Sequence, residues 1–177
     1  MKKFIVTIAT LLPLAAVLAF TLVQGWQVTD KYNIGFSSND AGGVFKKFSG
    51  AIVFDEKNPA ASSFDLSIDA ASINTGNALQ NKHAKSDEYF DVVKYPTIRY
   101  VSKKIVKTAA GYQVTGDMDM HGVKKELTIP FTFQPSGNGG LFKGSFTINR
   151  NDFHIGKPGP DVGEMIKVDV SVPVVKK

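Results

Sequence analysis

The residues with the most chemical capacity stand close together at Asp117-x-Asp119-x-His121. On an extended strand these alternate positions share one face, and two carboxylates with an imidazole suit a divalent ion. Read that way, the triplet belongs to a metal-dependent hydrolase. The other reading makes this the solvent face of a strand and makes His121-Gly122 the turn of a hairpin, for which those residue types are suited. His83 is either a head-group contact or an exposed histidine of a helical stretch. Arg150, between Asn149 and Asp152, either meets a ligand head group or pairs with Asp152. Gly42-Gly43 followed by Lys46-Lys47 has the composition of an anion-binding loop, or of an ordinary turn.

Other catalytic signatures are missing. The chain contains no Gly-x-Ser-x-Gly elbow, no His-Glu-x-x-His helix, no phosphate-binding Gly-x-x-x-x-Gly-Lys loop and no dinucleotide fingerprint. Its three histidines, His83, His121 and His154, are far apart in sequence. Absence of cysteine removes disulfide scaffolds, thiolate zinc sites, iron–sulfur clusters and cysteine nucleophiles together. The expectation is a protein that is not an enzyme and uses neither metal nor cofactor.

The elements that must position these residues are strands. Of the 177 residues, the first 25 hold 17 hydrophobic ones, and behind them the body carries fifteen Val and eleven Phe against four Leu. Branched and aromatic side chains suit a pleated surface better than a helix. Period-two alternation recurs through the body. Phe64, Leu66 and Ile68 alternate with Asp65 and Ser67, while Tyr112, Val114, Gly116, Met118 and Met120 alternate with Gln113, Thr115, Asp117 and Asp119. Residues 127–133, 142–148 and 166–174 repeat the pattern, and residues 32–37, 48–55 and 97–107 bring the number to about eight strands. One polar and one apolar face per strand excludes a doubly covered parallel sheet. The expected fold is all-β, an antiparallel, extended barrel, in preference to a sandwich. Pro130 removes a ladder donor in mid-strand and implies a bulge, an edge or an imperfectly closed barrel. Residues 74–86 lack alternation and read as a short helical insertion, capped at Asn74 or Thr75, that brings Tyr89 and Phe90 to a barrel mouth.

The apolar face is then the working surface. Phe36, Phe48, Phe64, Phe90, Tyr100, Met118, Met120, Phe131, Phe133 and Phe146 either fill a small barrel or line a slot for an apolar ligand, with His83 and Arg150 as head-group contacts. At about 0.8 kcal/mol per buried methylene, a chain with ~10 buried carbons gains roughly 8 kcal/mol, which is of micromolar size before ordering costs. Such a ligand needs no catalytic residue.

Residues 1–25 read as an export signal, with Met1-Lys2-Lys3 ahead of an uncharged apolar run over 4–23 and small-residue cleavage sites at 17–19 and 23–25. The run also has the length of an uncleaved anchor. Either way, residues 26–177 form one domain placed beyond the inner membrane, periplasmic or secreted. The formal net charge is +5, and loss of Lys2 and Lys3 leaves +3. With no basic run beyond a doublet, nucleic acid is excluded as a partner.

Several segments together resemble the YceI-like lipid/polyisoprenoid-binding proteins. They are residues 44–50 (VFKKFSG), 73–77 (INTGN), 87–96 (DEYFDVVKYP), 116–123 (GDMDMHGV), 148–153 (INRNDF) and the closing 162–172, in order through about 26–175. The Phe-Asp…Lys-Tyr-Pro and Gly-Asp-x-x-x-His-Gly-Val elements are specific in combination. The resemblance implies an exported, lipocalin-like barrel whose interior holds a long isoprenoid chain by its apolar wall. The sequence departs from the family pattern at Asn39, where a histidine is common, and at Asn81-Lys82, where an Arg-Asp pair commonly precedes the helical histidine. The expected function is binding of a polyisoprenoid or similar long-chain amphiphile, such as a fatty-acyl lipid, for transport, storage or sequestration in the bacterial envelope, with transient membrane contact. The alternative is a stress-related envelope module with a filled barrel that acts through protein partners. Oligomeric state is open.

Overall fold

The computed structural model describes residues 24–159 and 162–177. The expected leader falls on residues 1–25, nearly all of which lie outside the described residues. The strands are β1 (Gly25–Val28), β2 (Asn33–Ser37), β3 (Gly42–Phe45), β4 (Phe48–Val53), β5 (Ser63–Asp69), β6 (Ile73–Asn74), β7 (Thr97–Thr108), β8 (Gly111–Met120), β9 (Val123–Ser136), β10 (Gly139–Asn149) and β11 (Met165–Lys176). One helix, α1 (Ala78–Lys85), lies between β6 and β7.

All strand pairs are antiparallel, and the ring β1-β4-β5-β7-β8-β9-β10-β11 closes through the pairing of β1 with β11. Eleven ladder segments make eight staves. β1 and β2 run one after the other along β11, β4 and β3 run along them in turn, and β5 and β6 follow beside those two. The breaks fall at polar interruptions of the alternation: Asp30-Lys31, Lys46-Lys47, and the 3-10 turn Ala70–Ser72. Closure removes the exposed edges that an open sheet of this length would present.

Alternation decides which side chains enter. On β8 the inward set is Tyr112, Val114, Gly116, Met118 and Met120, and the ring of Tyr100 on β7 lies across Gly116. A Cβ there would come within 2.9 Å of Tyr100 Cζ. His121 and Gly122 form the β8–β9 turn, with φ of +53° and +74°, the left-handed pair that a two-residue hairpin of this type requires. Gly42 and Gly43 lie within β3, and neither an anion-binding loop nor a turn forms there.

One end of the barrel is sealed by aromatic rings. Phe54, 1% exposed, packs against Tyr112, Phe131, Phe133 and Phe142 at centroid distances of 5.0, 5.6, 5.3 and 5.3 Å. Trp26 stacks edge-on to Phe133 at 5.0 Å and its Nε1–H donates to the Phe54 carbonyl at 2.9 Å. Edge-to-face rings at these distances add to their area burial. The other end is spanned by the insertion. Helix α1 begins two to three residues later than the spacing suggested, because Asn77, and not Asn74 or Thr75, caps it: its Oδ1 accepts from Gln80 N at 3.0 Å. Thr75 and Asn74 instead hydrogen-bond with the Asn81 side chain.

Candidate functional site

Above the aromatic plug the barrel encloses a cavity of about 560 Å³. That volume suits a chain of roughly 20 heavy atoms, taking about 30 Å³ for each water-sized group. Its wall is built from inward positions of β2 to β11, and is aliphatic as much as aromatic: Ile34, Ile52, Leu66, Ile68, Ile98, Val114, Ile129, Val170 and Val172 all reach it. These were missed when aromatic and Met positions were singled out, although the alternation that selects Phe64 selects Leu66 and Ile68 equally.

Nine of the ten expected lining residues border the cavity: Phe36, Phe48, Phe64, Phe90, Tyr100, Met118, Met120, Phe131 and Phe146. Phe133 does not. It points inward at the level of the plug, between Trp26, Phe54 and Phe142, and is core.

The wall's one deep hydroxyl is satisfied internally. Tyr100 Oη–H donates to the carbonyls of Val114 and Leu127, at 3.0 and 3.1 Å, and burial, assisted by Asp117 and Glu126, pushes its phenol well above the usual tyrosine range. A group held so offers nothing to a polar substrate and keeps the wall functionally apolar. Polar side chains gather instead where the cavity opens, with Asp40, Thr75, Gln80, His83 and Glu88.

At that rim His83 Nε2 lies 2.9 Å from Glu88 Oε2, and the His83 ring meets Tyr89 edge-on at 4.9 Å. The hydrogen bond from His83 holds the Glu88 carboxyl below its ordinary value, with Lys157 adding to the effect. Phe90 anchors the insertion by packing on Phe45 at 5.8 Å.

Arg150 borders the cavity but its guanidinium is largely committed elsewhere. It is 4% exposed and donates to the carbonyls of Ile155, Lys157, Val162 and Gly163 at 2.7, 3.0, 2.9 and 3.3 Å. Four of its five donors therefore fix the loop between β10 and β11. The anticipated pair with Asp152 does not form, because the 3-10 turn Arg150–Phe153 carries Asp152 outward to Lys125 at 2.9 Å.

The metal reading of Asp117, Asp119 and His121 is overturned by direction. Asp117 forms an ion pair with Lys103 on the outer surface, and Asp119 lies opposite Arg99 in the β7–β8 ladder. His121, in the turn, directs Nδ1 at the Phe153 carbonyl, 3.1 Å away, and meets Tyr95 edge-on at 4.6 Å. Among the described residues no group of three His, Asp or Glu side chains is placed to hold a metal ion.

Residues 26–174 match the family model described as the YceI-like domain. A UPF0312 protein of Pseudomonas savastanoi pv. phaseolicola is 37% identical over 142 residues, which cover 76% of this chain and 73% of that protein. Among solved structures, BcnA of Burkholderia cenocepacia superposes with a TM-score of 0.77 at 28% identity, over 81% of this chain and 96% of that one. A domain from Saccharophagus degradans, described as a polyisoprenoid binding domain implicated in plant cell wall breakdown, shares the fold with a TM-score of 0.64 at 17% identity, over 86% and 98% of the two chains.

Proposed function

The chain belongs to the YceI-like family, and from that premise we propose that it is an exported, non-enzymatic lipid-binding protein that holds a polyisoprenoid or similar long-chain amphiphile inside the barrel. The observation that carries this reading is the distribution of polarity in the cavity. Its wall is largely apolar from the plug upward, the Tyr100 hydroxyl and the Arg150 guanidinium are committed to backbone carbonyls, and Asp40, Thr75, Gln80, His83 and Glu88 gather at the rim. A long apolar tail with a small polar head has that same distribution, and burial of the tail supplies the affinity. The description of the Saccharophagus domain as polyisoprenoid binding is in keeping with this choice of ligand, through the fold alone.

Transport, storage and sequestration all require reversible capture of the tail. A cavity of this size weighs against the alternative, in which the barrel is filled and works only as a platform for protein partners. Titration of the mature protein with a fluorescent conjugated-polyene fatty acid, followed by competition with a polyprenol, tests the proposal. The expected result is one saturable site of about micromolar affinity or tighter, emptied by the polyprenol. Absence of saturable binding by either molecule overturns it.

A further inference from the structure

The barrel wall is continuous around the plug but divides into two curved sheets nearer the rim. β10, β11, β2, β3 and β6 make one, and the first residues of β7 and β9 with the last residues of β8 make the other. Two seams separate them. The seam between β6 and β7 is occupied by the insertion, with Phe90 packed on Phe45 and Tyr95 on His121. The seam between β9 and β10 is crossed at its rim end by the 3-10 turn Arg150–Phe153, with Phe153 buried at 1% exposed, and below that turn no ladder joins the two strands.

That second seam begins at one level. β9 and β10 pair from Gly139↔Ser136 to Gly144↔Phe131 and no further. Beyond it, residues 123–130 of β9 pair only with β8, and residues 145–149 of β10 pair only with β11. Pro130 is the first residue of β9 without a partner on β10. A Cβ on Gly144 would lie 3.0 Å from the Pro130 carbonyl oxygen, so this residue's backbone faces β10. In an antiparallel ladder the N–H and C=O of one residue face the same neighbour, so the donor that proline lacks is the one that would have continued the ladder to Ser145. Burial changes at the same place. Phe131, Phe133 and Phe142 are buried, whereas the next inward residues, Leu127 and Ile129 on β9 and Phe146 and Ile148 on β10, are only half-buried. Ile129, Phe146 and Ile148 are also cavity wall.

Two polar contacts cross this seam in place of a ladder: Lys125 to Asp152, and His121 Nδ1 to the Phe153 carbonyl. Both are made by the 3-10 turn Arg150–Phe153, and both can be undone without breaking a strand. Lysine and proline on an unpaired strand edge also keep other chains from adding to it. We infer that the β9–β10 seam is a side portal through which the ligand's apolar chain passes, latched by Lys125–Asp152 and His121–Phe153 and ending at Pro130. This rests on the lipid-binding reading above and adds the route. A chain too long to thread end-on past the rim slides in sideways, with its tail always against Leu127, Ile129, Phe146 and Ile148.

The native chain has no cysteine, so a cross-link can be placed on the seam alone. K125C/D152C is joined by a short, reducible thiol cross-linker. T115C/T128C, whose native hydroxyls lie 2.8 Å apart on the outer face of the continuous β8–β9 ladder, serves as the control. Stopped-flow uptake of the conjugated-polyene fatty acid is the readout. The seam-linked protein is expected to fill about tenfold more slowly or worse, as for any gated site, to reach the same final occupancy, and to recover its rate when the linker is reduced. The control fills at the wild-type rate. An unchanged rate in the linked protein overturns the portal and leaves lipid binding standing; failure of the unlinked wild-type protein to bind the probe overturns both.

Discussion

The Lys125 ammonium and the Asp152 carboxylate meet at 2.9 Å across a stretch of barrel wall where β9 and β10 have parted. Both side chains are substantially solvated, so the pair contributes at most about 1 kcal/mol to folding. Asp152→Asn should therefore leave the urea midpoint almost unmoved while speeding amide hydrogen exchange over 123–129. Exchange unchanged in that segment would show that the pair does not restrain the seam.

Pro130→Val restores a backbone donor on the side of β9 that faces β10. An added ladder pair with Ser145 is expected, seen as new amide protection at the substituted position and slower uptake of a fatty-acid probe. If the new amide exchanges as fast as an unprotected one and uptake matches that of the wild type, the proline is not what ends the ladder.

Phe54 is the hub of the plug. Phe54→Ala should cost about 3–5 kcal/mol, in the range of large aromatic deletions. The single tryptophan, Trp26, bonds to the Phe54 carbonyl, so its emission reports the transition directly. A loss below about 1 kcal/mol would mean the rings around Phe54 collapse into the space.

Burial raises the Tyr100 phenol above its ordinary value of 10.0. The folded state therefore keeps a proton that the unfolded chain releases. Tyr100's contribution is complete below about pH 10 and is lost as the pH rises further. Urea stability should fall as the pH rises from about 10 to about 12, and by less in Tyr100→Phe. It should not become flat, because burial raises Tyr112 in the same way. Equal losses in the two proteins would assign the alkaline sensitivity elsewhere.

Ile68 borders the cavity from β5 and is half-buried. Ile68→Trp places a large ring in the ligand's space, and a loss of about tenfold or more in probe affinity is expected with the midpoint of unfolding nearly retained. Undiminished affinity would place the bound chain away from this wall.

Much of this was legible in the alternation. Period-two patterning reports the face on which a side chain stands, and it gave the barrel and the inward sets of β5, β8, β9, β10 and β11. It carries no depth coordinate, which is why Phe133 and Phe131, two residues apart on one face, part between plug and cavity wall. Phe54 is in phase with Phe48 and Ile52 over the expected strand 48–55, so its inward direction was readable, but its place as hub of the plug was not. Pro130 was readable as an interruption, but its consequence depends on which neighbour its backbone faces, and that is a property of the assembled sheet. Arg150 and Asp152 looked like partners by proximity. The 3-10 turn sends one inward to backbone carbonyls and the other outward to Lys125.

The central claim is that the barrel interior holds a long-chain lipid, and the most direct measurement is of its contents. Mature protein purified from its native compartment without detergent should be extracted into organic solvent and the extract weighed against protein by mass spectrometry. The expected result is an amphiphile with a long isoprenoid or acyl chain, at close to one molecule per protein. Protein that is consistently empty, and that stays empty after incubation with polyprenols and fatty acids, would contradict it.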